Sequence, residues 1–288
     1  STLGFRGEAL AAIAAVSRFR MLTCRAGDMT GTEILITGGK MADVRDAGCP
    51  AGTAVEIRDL FFNIPARRKF LRSQETELAH VREMFIVQAL SHPAVGMSLK
   101  VDGRETYRLA GGSRREDRLR DLFGADYLRN LKPVDFKAGS LTVRGHVSVP
   151  PFSRSDRNEQ HIFINSRAAG APVLSYAMRE GYHAILPGDR HPCVFLFLEM
   201  DPEQVDVNVH PTKKEVRFRR PTDIRDAVIN AIRQALGSDG MRAEASSATS
   251  APPAPRPAAD VQLKIADMPP TRAFFYPRMT TGPATDPR

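Results

Sequence analysis

The sequence contains no apolar run near the roughly 20 residues that a membrane-crossing helix needs. It opens on Ser1 with no charged-then-apolar leader. Neither a membrane-spanning nor a secreted protein is expected from this pattern, and the opening residue suggests a piece whose own N-terminus lies upstream. Cysteine is scarce. Cys24, Cys49 and Cys193 are scattered with no Cys-x-x-Cys spacing, which argues against a disulfide framework or a zinc site and for a reducing, cytoplasmic compartment. No internal repeat is present. Neither a Walker A loop nor a dinucleotide fingerprint occurs, which removes two common Gly-rich routes to a nucleotide.

What is present suffices for real cores. The 288 residues are 42% hydrophobic, enough for about two domains. The net charge of +8 favours an anionic partner, nucleic acid or nucleotide, although a generally Arg-rich composition gives the same balance.

Residues 1–112 read as mixed α/β. A short Ala-rich helix is expected over Glu8–Ser17, then strands at Phe19–Cys24, Thr32–Thr37 and Thr53–Leu60. A long helix is expected from Pro65 to Leu90, with Asn63 as its N-cap and Phe70, Leu71, Leu78, Val81, Phe85 and Ala89 on its apolar positions. A hairpin over Ser98–Leu109 would turn at Asp102-Gly103 in type I′ geometry. The pattern restarts over residues 113–236. A charged helix is expected at Arg115–Phe123, strands at Leu141–Val149 and His161–Asn165, and a helix at Val173–Ile185. Val194–Met200 reads as a strand buried on both faces. Val205–Val209 alternates, and Thr222–Leu236 closes the region as an amphipathic helix. Residues 237–288 hold nine of the 21 prolines and read as disordered linker.

Three stretches bear on chemistry. Two glycines in Leu3-Gly4-Phe5-Arg6-Gly7-Glu8-Ala9-Leu10 precede a helix, and helix N-termini expose unpaired N–H groups that suit a phosphate. The same residues serve equally as a plain helix cap. Asp206, Asn208 and His210 share a strand face. A metal site is one reading of them, and an inter-domain hydrogen-bonding surface is the simpler one. Arg67-Arg68-Lys69 sits near a helix start, where cations are disfavoured. Glu75 and Glu77 are close enough in sequence to offset that charge, and an anion contact is the alternative.

Taken in order, four blocks carry a resemblance. Gly4–Leu10, read GFRGEAL, resembles the third nucleotide-binding motif of the GHKL ATPases in the form found in the MutL family. Gly52-Thr53-Ala54-Val55, with the stretch from Asp59 to Leu71, resembles that family's fourth motif and the segment after it. Gln160–Arg167 and Val205–Phe218 resemble two signatures of that family's transducer domain. The resemblance implies an α+β fold. Its parts would be a partial Bergerat-type (GHKL) ATPase α/β sandwich over 1–112, a ribosomal-protein-S5-domain-2-like transducer domain over 113–236, and the linker.

It also implies ATP as ligand, held by Gly4, Phe5, Arg6, Gly7, Glu8, Ala9 and Leu10, with the Thr53 hydroxyl helping to read the adenine. Lys213, selected over Lys214 by its place after Pro211, would bring a positive charge to the terminal phosphate. The family's catalytic Glu and its Mg²⁺-binding Asn belong to a motif upstream of the third. The stretch as given is therefore not expected to hydrolyse ATP, whereas its parent protein would.

DNA contact, without sequence readout, would fall on Arg154, Arg157, Arg167 and Arg179, because Ala168–Pro172 is apolar where many relatives are basic. The function implied is DNA mismatch repair by an ATP-driven matchmaker. Expected partners are DNA, a MutS-type mismatch-recognition protein, a second copy in a homodimer, and a sliding clamp reached through Gln262–Ile265 in the bacterial cytoplasm. Phe274-Phe275-Tyr276 is equally a sticky patch. Two alternatives stand beside this reading. A type II topoisomerase ATPase subunit shares the two-domain plan, but typically sets its lysine in Gln-Thr-Lys rather than His210-Pro211-Thr212-Lys213. A DNA-binding scaffold without turnover is the other.

Overall fold

The computed structural model describes residues 8–206 and 216–246, with backbone alone for 238–246. The chain divides between Arg82 and Glu83 into two compact units, whereas the sequence expectation sets a boundary after Gly112.

The first unit holds α1 (Ala9–Ala14), β1 (Arg18–Cys24), β2 (Gly31–Thr37), β3 (Lys40–Ala47), β4 (Gly52–Arg58) and α2 (Pro65–Arg68). Its four strands form a sheet in the order β3-β2-β1-β4, with every neighbouring pair antiparallel. Side chains alternate across the pleat. One face carries Phe19, Met21, Ile34, Val44, Val55 and Ile57, and the other carries Arg20, Glu33, Arg45 and Glu56. On the charged face Glu33, only 3% exposed, accepts from Arg20 Nε at 2.5 Å and from Arg45 Nε at 2.6 Å. Arg20 also lies 3.6 Å from Glu56. Charges of alternating sign thus cross all four strands. β3 is an exposed, polar edge strand, with no apolar period to reveal it in the sequence.

The helix expected from Pro65 to Leu90 is two helices, α2 and α3 (Gln74–Ser91). Ser73 starts the second. Its Oγ accepts from Thr76 N at 3.3 Å, while the Glu77 carboxylate reaches back to Arg72 N at 3.0 Å. These bonds satisfy N–H groups that a continuous helix would have used internally. Phe70 and Leu71 fall in the break and are exposed, Phe70 to 83%. The N-cap of α2 is Ile64, which makes no side-chain cap bond, so Asn63 does not cap it. α1 is also shorter than the expected Glu8–Ser17.

The second unit begins within α3 and continues through the hairpin β5 (Met97–Val101) and β6 (Arg104–Leu109). Asp102 and Gly103 have φ of 50° and 77°, as the expected type I′ turn requires. Next come α4 (Arg115–Phe123), α5 (Ala125–Arg129), β7 (Leu131–Ala138), β8 (Leu141–Ser148), the short β9 (Ser153–Arg154), β10 (Gln160–Ile164), β11 (Arg167–Ala168) and α6 (Pro172–Tyr182). The unit closes with β12 (His191–Pro192), β13 (Val194–Glu199), β14 (Val205–Asp206), β15 (Arg217–Phe218) and α7 (Pro221–Ser246). α7 runs past Gly237, the expected start of linker. Residues 247–288 lie outside the described residues.

The main sheet runs β11-β10-β13-β8-β7, with β10 and β13 parallel and joined through α6. β13 lies at its centre, buried on both faces as its unbroken apolar run predicts. Val194, Leu196 and Leu198 face a core shared with Leu174, Met178 and Tyr182 of α6 and Val228 and Ile232 of α7. Phe195 and Phe197 face a second core with Phe163, with Ala89 and Leu90 of α3, and with Leu119 and Leu122 of α4. Truncating Phe195 to Ala would cost about 3–5 kcal/mol by analogy with other core phenylalanines. This second core draws on α3 and on Leu109 of the hairpin, which explains why the compact unit starts before residue 113.

Two buried histidines flank Phe195 on that face, His146 in β8 and His161 in β10. His161 stacks on the Phe195 ring at 5.2 Å and lies 3.7 Å from Glu83. Burial pushes its pKa down to about 4, against a smaller opposing pull from Glu159. His146 is lowered by the same cause. The neutral imidazole is therefore the folded-state form, and the His161–Glu83 contact is not an ion pair at neutral pH.

Because the folded pKa lies below the unfolded value of about 6.5, the contribution from His161 is complete above that value. It is lost as pH falls from about 6.5 toward 4, and amounts to roughly 3 kcal/mol. Burial raises the pKa of Glu83, with the Glu159 charge adding to it, so Glu83 acts in the opposite sense. The expected outcome is thus a difference: between pH 7 and pH 4, denaturant titration shows wild type losing roughly 3 kcal/mol more than His161→Phe. Equal losses in the two proteins would remove this assignment.

Asn165 and Ser166 turn β10 into β11 with φ of 48° and 65°. Asn165 is anchored there by accepting from Met200 N at 3.0 Å. Ser166 has no such anchor among the described residues, and a left-handed serine costs about 1–2 kcal/mol. Ser166→Gly should raise stability by about 0.5–1 kcal/mol once the larger unfolded-state entropy of glycine is included, read as a shift of the urea midpoint at constant slope.

Candidate functional site

α1 starts directly after the expected phosphate turn. Gly4, Phe5, Arg6 and Gly7 lie outside the described residues. Glu8 occupies the N-cap position, exposed, and makes no side-chain cap bond. A capping role for its carboxylate is therefore not realised. Ala9 and Leu10 form the first turn, with Leu10 exposed to 47%.

The opposite end of α1 is fastened in detail. A helix ends with carbonyls that lack intrahelical partners, and here the four consecutive carbonyls from Ala14 to Ser17 are taken. Gly39 N donates to Ala14 O at 3.0 Å, Asn63 Nδ2 to Ala15 O at 3.0 Å, Phe61 N to Val16 O at 2.7 Å, and Gly38 N to Ser17 O at 3.0 Å. Ser17 Oγ donates back to Ile13 O at 2.7 Å. The donors come from two places, the β2–β3 turn and the segment Asp59–Asn63. Gly38 and Gly39 have positive φ of 57° and 84°, and a β-carbon at Gly38 would meet Asn63 Nδ2 at 3.1 Å. Asp59 and Phe61 take left-handed backbone without being glycine, at φ of 52° and 63°. Arg18 pairs with Asp59 at 3.1 Å and lies over the Phe62 ring at 5.5 Å. Asn63 thus caps the end of α1 rather than the start of α2. Sequence reading missed this because the partner lies 48 residues away.

Thr53 lies on β4 opposite Thr23 of β1, and their hydroxyls are 2.8 Å apart. Both are on the face that carries Met21 and Val55, where Val55 and Ile57 are 42% and 44% exposed. The arrangement is a pair of hydroxyls, each able to donate and accept, at the edge of an open apolar strip. That combination fits a flat heteroaromatic ring with a polar edge.

In the second unit Arg157, Arg167 and Arg179 are exposed and form no ion pair among the described residues. Arg179 lies over Tyr176 at 5.8 Å. Arg154 is different. Its Nε sits 3.1 Å from Glu159 Oε1, and its guanidinium lies 4.5 Å from the Phe152 ring centroid and 5.6 Å from that of Tyr127. Tyr127 Oη and Cys193 Sγ donate to the other oxygen of the same carboxylate, at 2.5 and 3.0 Å. Burial alone would raise the Glu159 carboxyl, but these two hydrogen bonds and the Arg154 charge outweigh it and hold it below the ordinary range. Arg154 is therefore committed to a half-buried polar cluster and is withdrawn as a free cation for DNA.

Arg67, Arg68 and Lys69 form no ion pair with Glu75 or Glu77 among the described residues. Lys213, with Asn208 and His210, lies outside them. Among the described residues no group of three or more His, Cys, Asp or Glu could hold a metal ion. No described helix is long and apolar enough to cross a membrane.

This geometry has counterparts among known proteins. The structure resembles "Crystal Structure of N terminal domain of a DNA repair protein", with a TM-score of 0.71 over 83% of this chain and 78% of that one at 22% identity, a likeness of fold alone. A MutL ATPase domain from Aquifex aeolicus, solved in complex with ADP, is 31% identical, with a TM-score of 0.55 over 68% of this chain and 72% of that one. The class defined is thus an α+β protein of GHKL ATPase-domain type. A family model described as "DNA mismatch repair protein, C-terminal domain" matches residues 119–237. The DNA mismatch repair protein MutL of Opitutus terrae is 42% identical over 233 residues, 81% of this chain. The chain belongs to the MutL family of DNA mismatch repair proteins. It spans 37% of the length of the Opitutus terrae relative.

The grip on α1 can be measured. Asn63→Ala removes one partner of a helix-end carbonyl, a loss of about 1 kcal/mol. It should speed amide exchange across residues 11–15 roughly fivefold while leaving β13 protected. Unchanged exchange in α1 would show that the Asn63 bond contributes nothing there.

Proposed function

We propose that the first unit binds ATP and that the chain is the nucleotide-responsive part of a cytoplasmic mismatch-repair matchmaker. In this reading the helix start at Gly4–Leu10 receives the phosphates and Thr53, backed by Thr23, reads the adenine edge. Lys213 supplies a cation to the terminal phosphate. ATP brings the phosphoanhydride whose hydrolysis, with Mg²⁺, would be a property of the whole protein. The chain's own described residues bind and orient.

The observation that carries the reading is the hydroxyl pair of Thr23 and Thr53 at 2.8 Å on an open apolar strip, on the sheet that follows α1. Family membership supports it, and so does the Aquifex aeolicus relative that was solved with ADP. The second unit would meet DNA through phosphates, with Arg157, Arg167 and Arg179 as the remaining candidate contacts, and affinity would fall with salt. Dimerisation on ATP, a MutS-type partner and a sliding clamp complete the proposal at the level of the whole protein.

Nucleotide titration of the full-length protein tests it. Wild type is expected to bind ATP saturably, Thr53→Val to bind about tenfold more weakly, and Thr53→Ser to stay within about threefold of wild type, because loss of one hydrogen bond and an unpaired polar group cost about 1–1.5 kcal/mol. Absence of saturable binding by wild type overturns the reading. Equal binding by wild type and Thr53→Val removes Thr53 from the site.

A further inference from the structure

Two of the three cysteines, 25 positions apart in the sequence, meet at one point of the first unit. Cys24 ends β1 and pairs with Gly52 across the sheet, and Cys49 lies in the loop between β3 and β4. The Cys49 sulfur lies beside the Cys24 side chain. Gly31, at the start of β2, makes room for them. A β-carbon there would stand 2.3 Å from Cys49 Sγ and 3.0 Å from Cys24 Cβ. No side chain larger than hydrogen fits between the pair, so the Cys49 sulfur and the Cys24 β-carbon border the same small space above Gly31. Both thiols are free. They differ in access, since Cys24 is buried and Cys49 is half-buried.

We propose that Cys24 and Cys49 are a redox-modifiable pair that closes to a disulfide when hydrogen peroxide oxidises it. The more accessible member reacts first. Cys49, as thiolate, attacks a peroxide oxygen. The O–O bond breaks, the departing hydroxide takes up the thiol proton as water, and Cys49 is left as sulfenic acid. The Cys24 sulfur then attacks the Cys49 sulfur. The S–O bond breaks, and the hydroxyl leaves with the Cys24 proton as a second water. In sum, two thiols lose two electrons and two protons, and one peroxide is reduced to two waters. Burial, reinforced by the neighbouring sulfur, raises the Cys24 thiol above its usual pKa, which leaves the first attack on the peroxide to Cys49.

The pair has a strategic place. Cys24 follows Thr23, and Cys49 precedes Gly52-Thr53 by a short loop, so the link would tie together the flanks of the hydroxyl pair. Disulfide formation itself does not rest on the nucleotide reading, and its test makes no use of nucleotide.

The full-length protein is treated with hydrogen peroxide, alkylated, and digested without reductant. In wild type the expected product is an intramolecular peptide pair joining Cys24 to Cys49, two hydrogens lighter than its thiol form and reversed by dithiothreitol, with Cys193 still alkylated after unfolding. Dimedone should label Cys49 strongly in Cys24→Ala and at least tenfold less in wild type, where Cys24 removes the sulfenic acid. Cys49→Ser should give no intramolecular link, and its unchanged far-ultraviolet circular dichroism would show that the fold survives. Absence of the Cys24–Cys49 peptide in wild type, an equal yield of links to Cys193 or between molecules, or equal dimedone labelling of wild type and Cys24→Ala would each overturn the proposal.

Discussion

The first unit depends on how one short helix is held at its end. Six residues of helix, Ala9–Ala14, are far too few to persist by their own hydrogen bonds, because helix nucleation fixes several residues before it gains a bond. The end of α1 survives because donors from elsewhere replace the missing turn. Two come from the glycine pair at the β2–β3 turn and two from Asp59–Asn63. A hydrogen bond of this kind contributes about 0.5–1.5 kcal/mol, so four bonds together outweigh what α1 could supply alone. The direction of α1 is thereby set by the sheet. Whatever binds at its N-terminus is referred to the same frame as Thr53 on β4.

Much of this was legible from the residues, and the parts that were not share a physical cause. β13 could be read because an unbroken apolar run has one common meaning in a sheet covered on both faces. The Asp102-Gly103 turn could be read because only a few residues tolerate two positive φ values in succession. Arg115–Phe123 was found at its true bounds because charge and leucine alternate at helical spacing. β3 was missed because an edge strand exposed throughout needs no apolar period. The split of α2 from α3 was missed because Phe70 and Leu71 fit a helical stripe, while the stop at Ser73 rests on local capping. Arg154 looked like a free cation because its carboxylate partner and two aromatic rings come from α5 and from loops whose approach no spacing encodes. The candidate site was legible as residue types through a family resemblance. The fastening of α1 and the meeting of Cys24 with Cys49 were not, since both join segments far apart in sequence.

The second unit solves a different problem. Its central sheet has a core on each side, and the layer formed by α3, α4 and α5 carries polar groups into one of them. Arg118 of α4 is fully buried, and its Nη2 reaches the carbonyls of Pro93, Val95 and Ala110 at 2.7–2.9 Å. A buried charge is costly, but here it donates to three carbonyls of the loops flanking the hairpin. With the Glu159 cluster and the two histidines, it makes this layer dependent on specific polar matches, whereas the face covered by α6 and α7 is held mainly by apolar packing around Leu174, Val228 and Ile232. The two faces should therefore respond differently to the same perturbation, with pH reaching the first and cavity-forming substitutions reaching both.

The segment from Asp59 to Asn63 also carries the clearest mark of selection for position over local comfort. Left-handed backbone at a non-glycine residue costs about 1–2 kcal/mol, and both Asp59 and Phe61 adopt it. A domain whose whole stability is about 5–15 kcal/mol does not keep two such residues in one short segment without compensation. The compensation is visible in the bonds that the twisted segment delivers. Phe61 N reaches Val16 O, Asn63 reaches Ala15 O, and Asp59 holds Arg18, all within one turn of where α1 becomes β1. An unstrained loop of the same length would point these donors elsewhere. The strain is thus exchanged for a fixed junction between the helix that begins at Ala9 and the strand that carries Thr23. This exchange makes sense if the geometry linking those two points matters more to the protein than the stability of the loop itself.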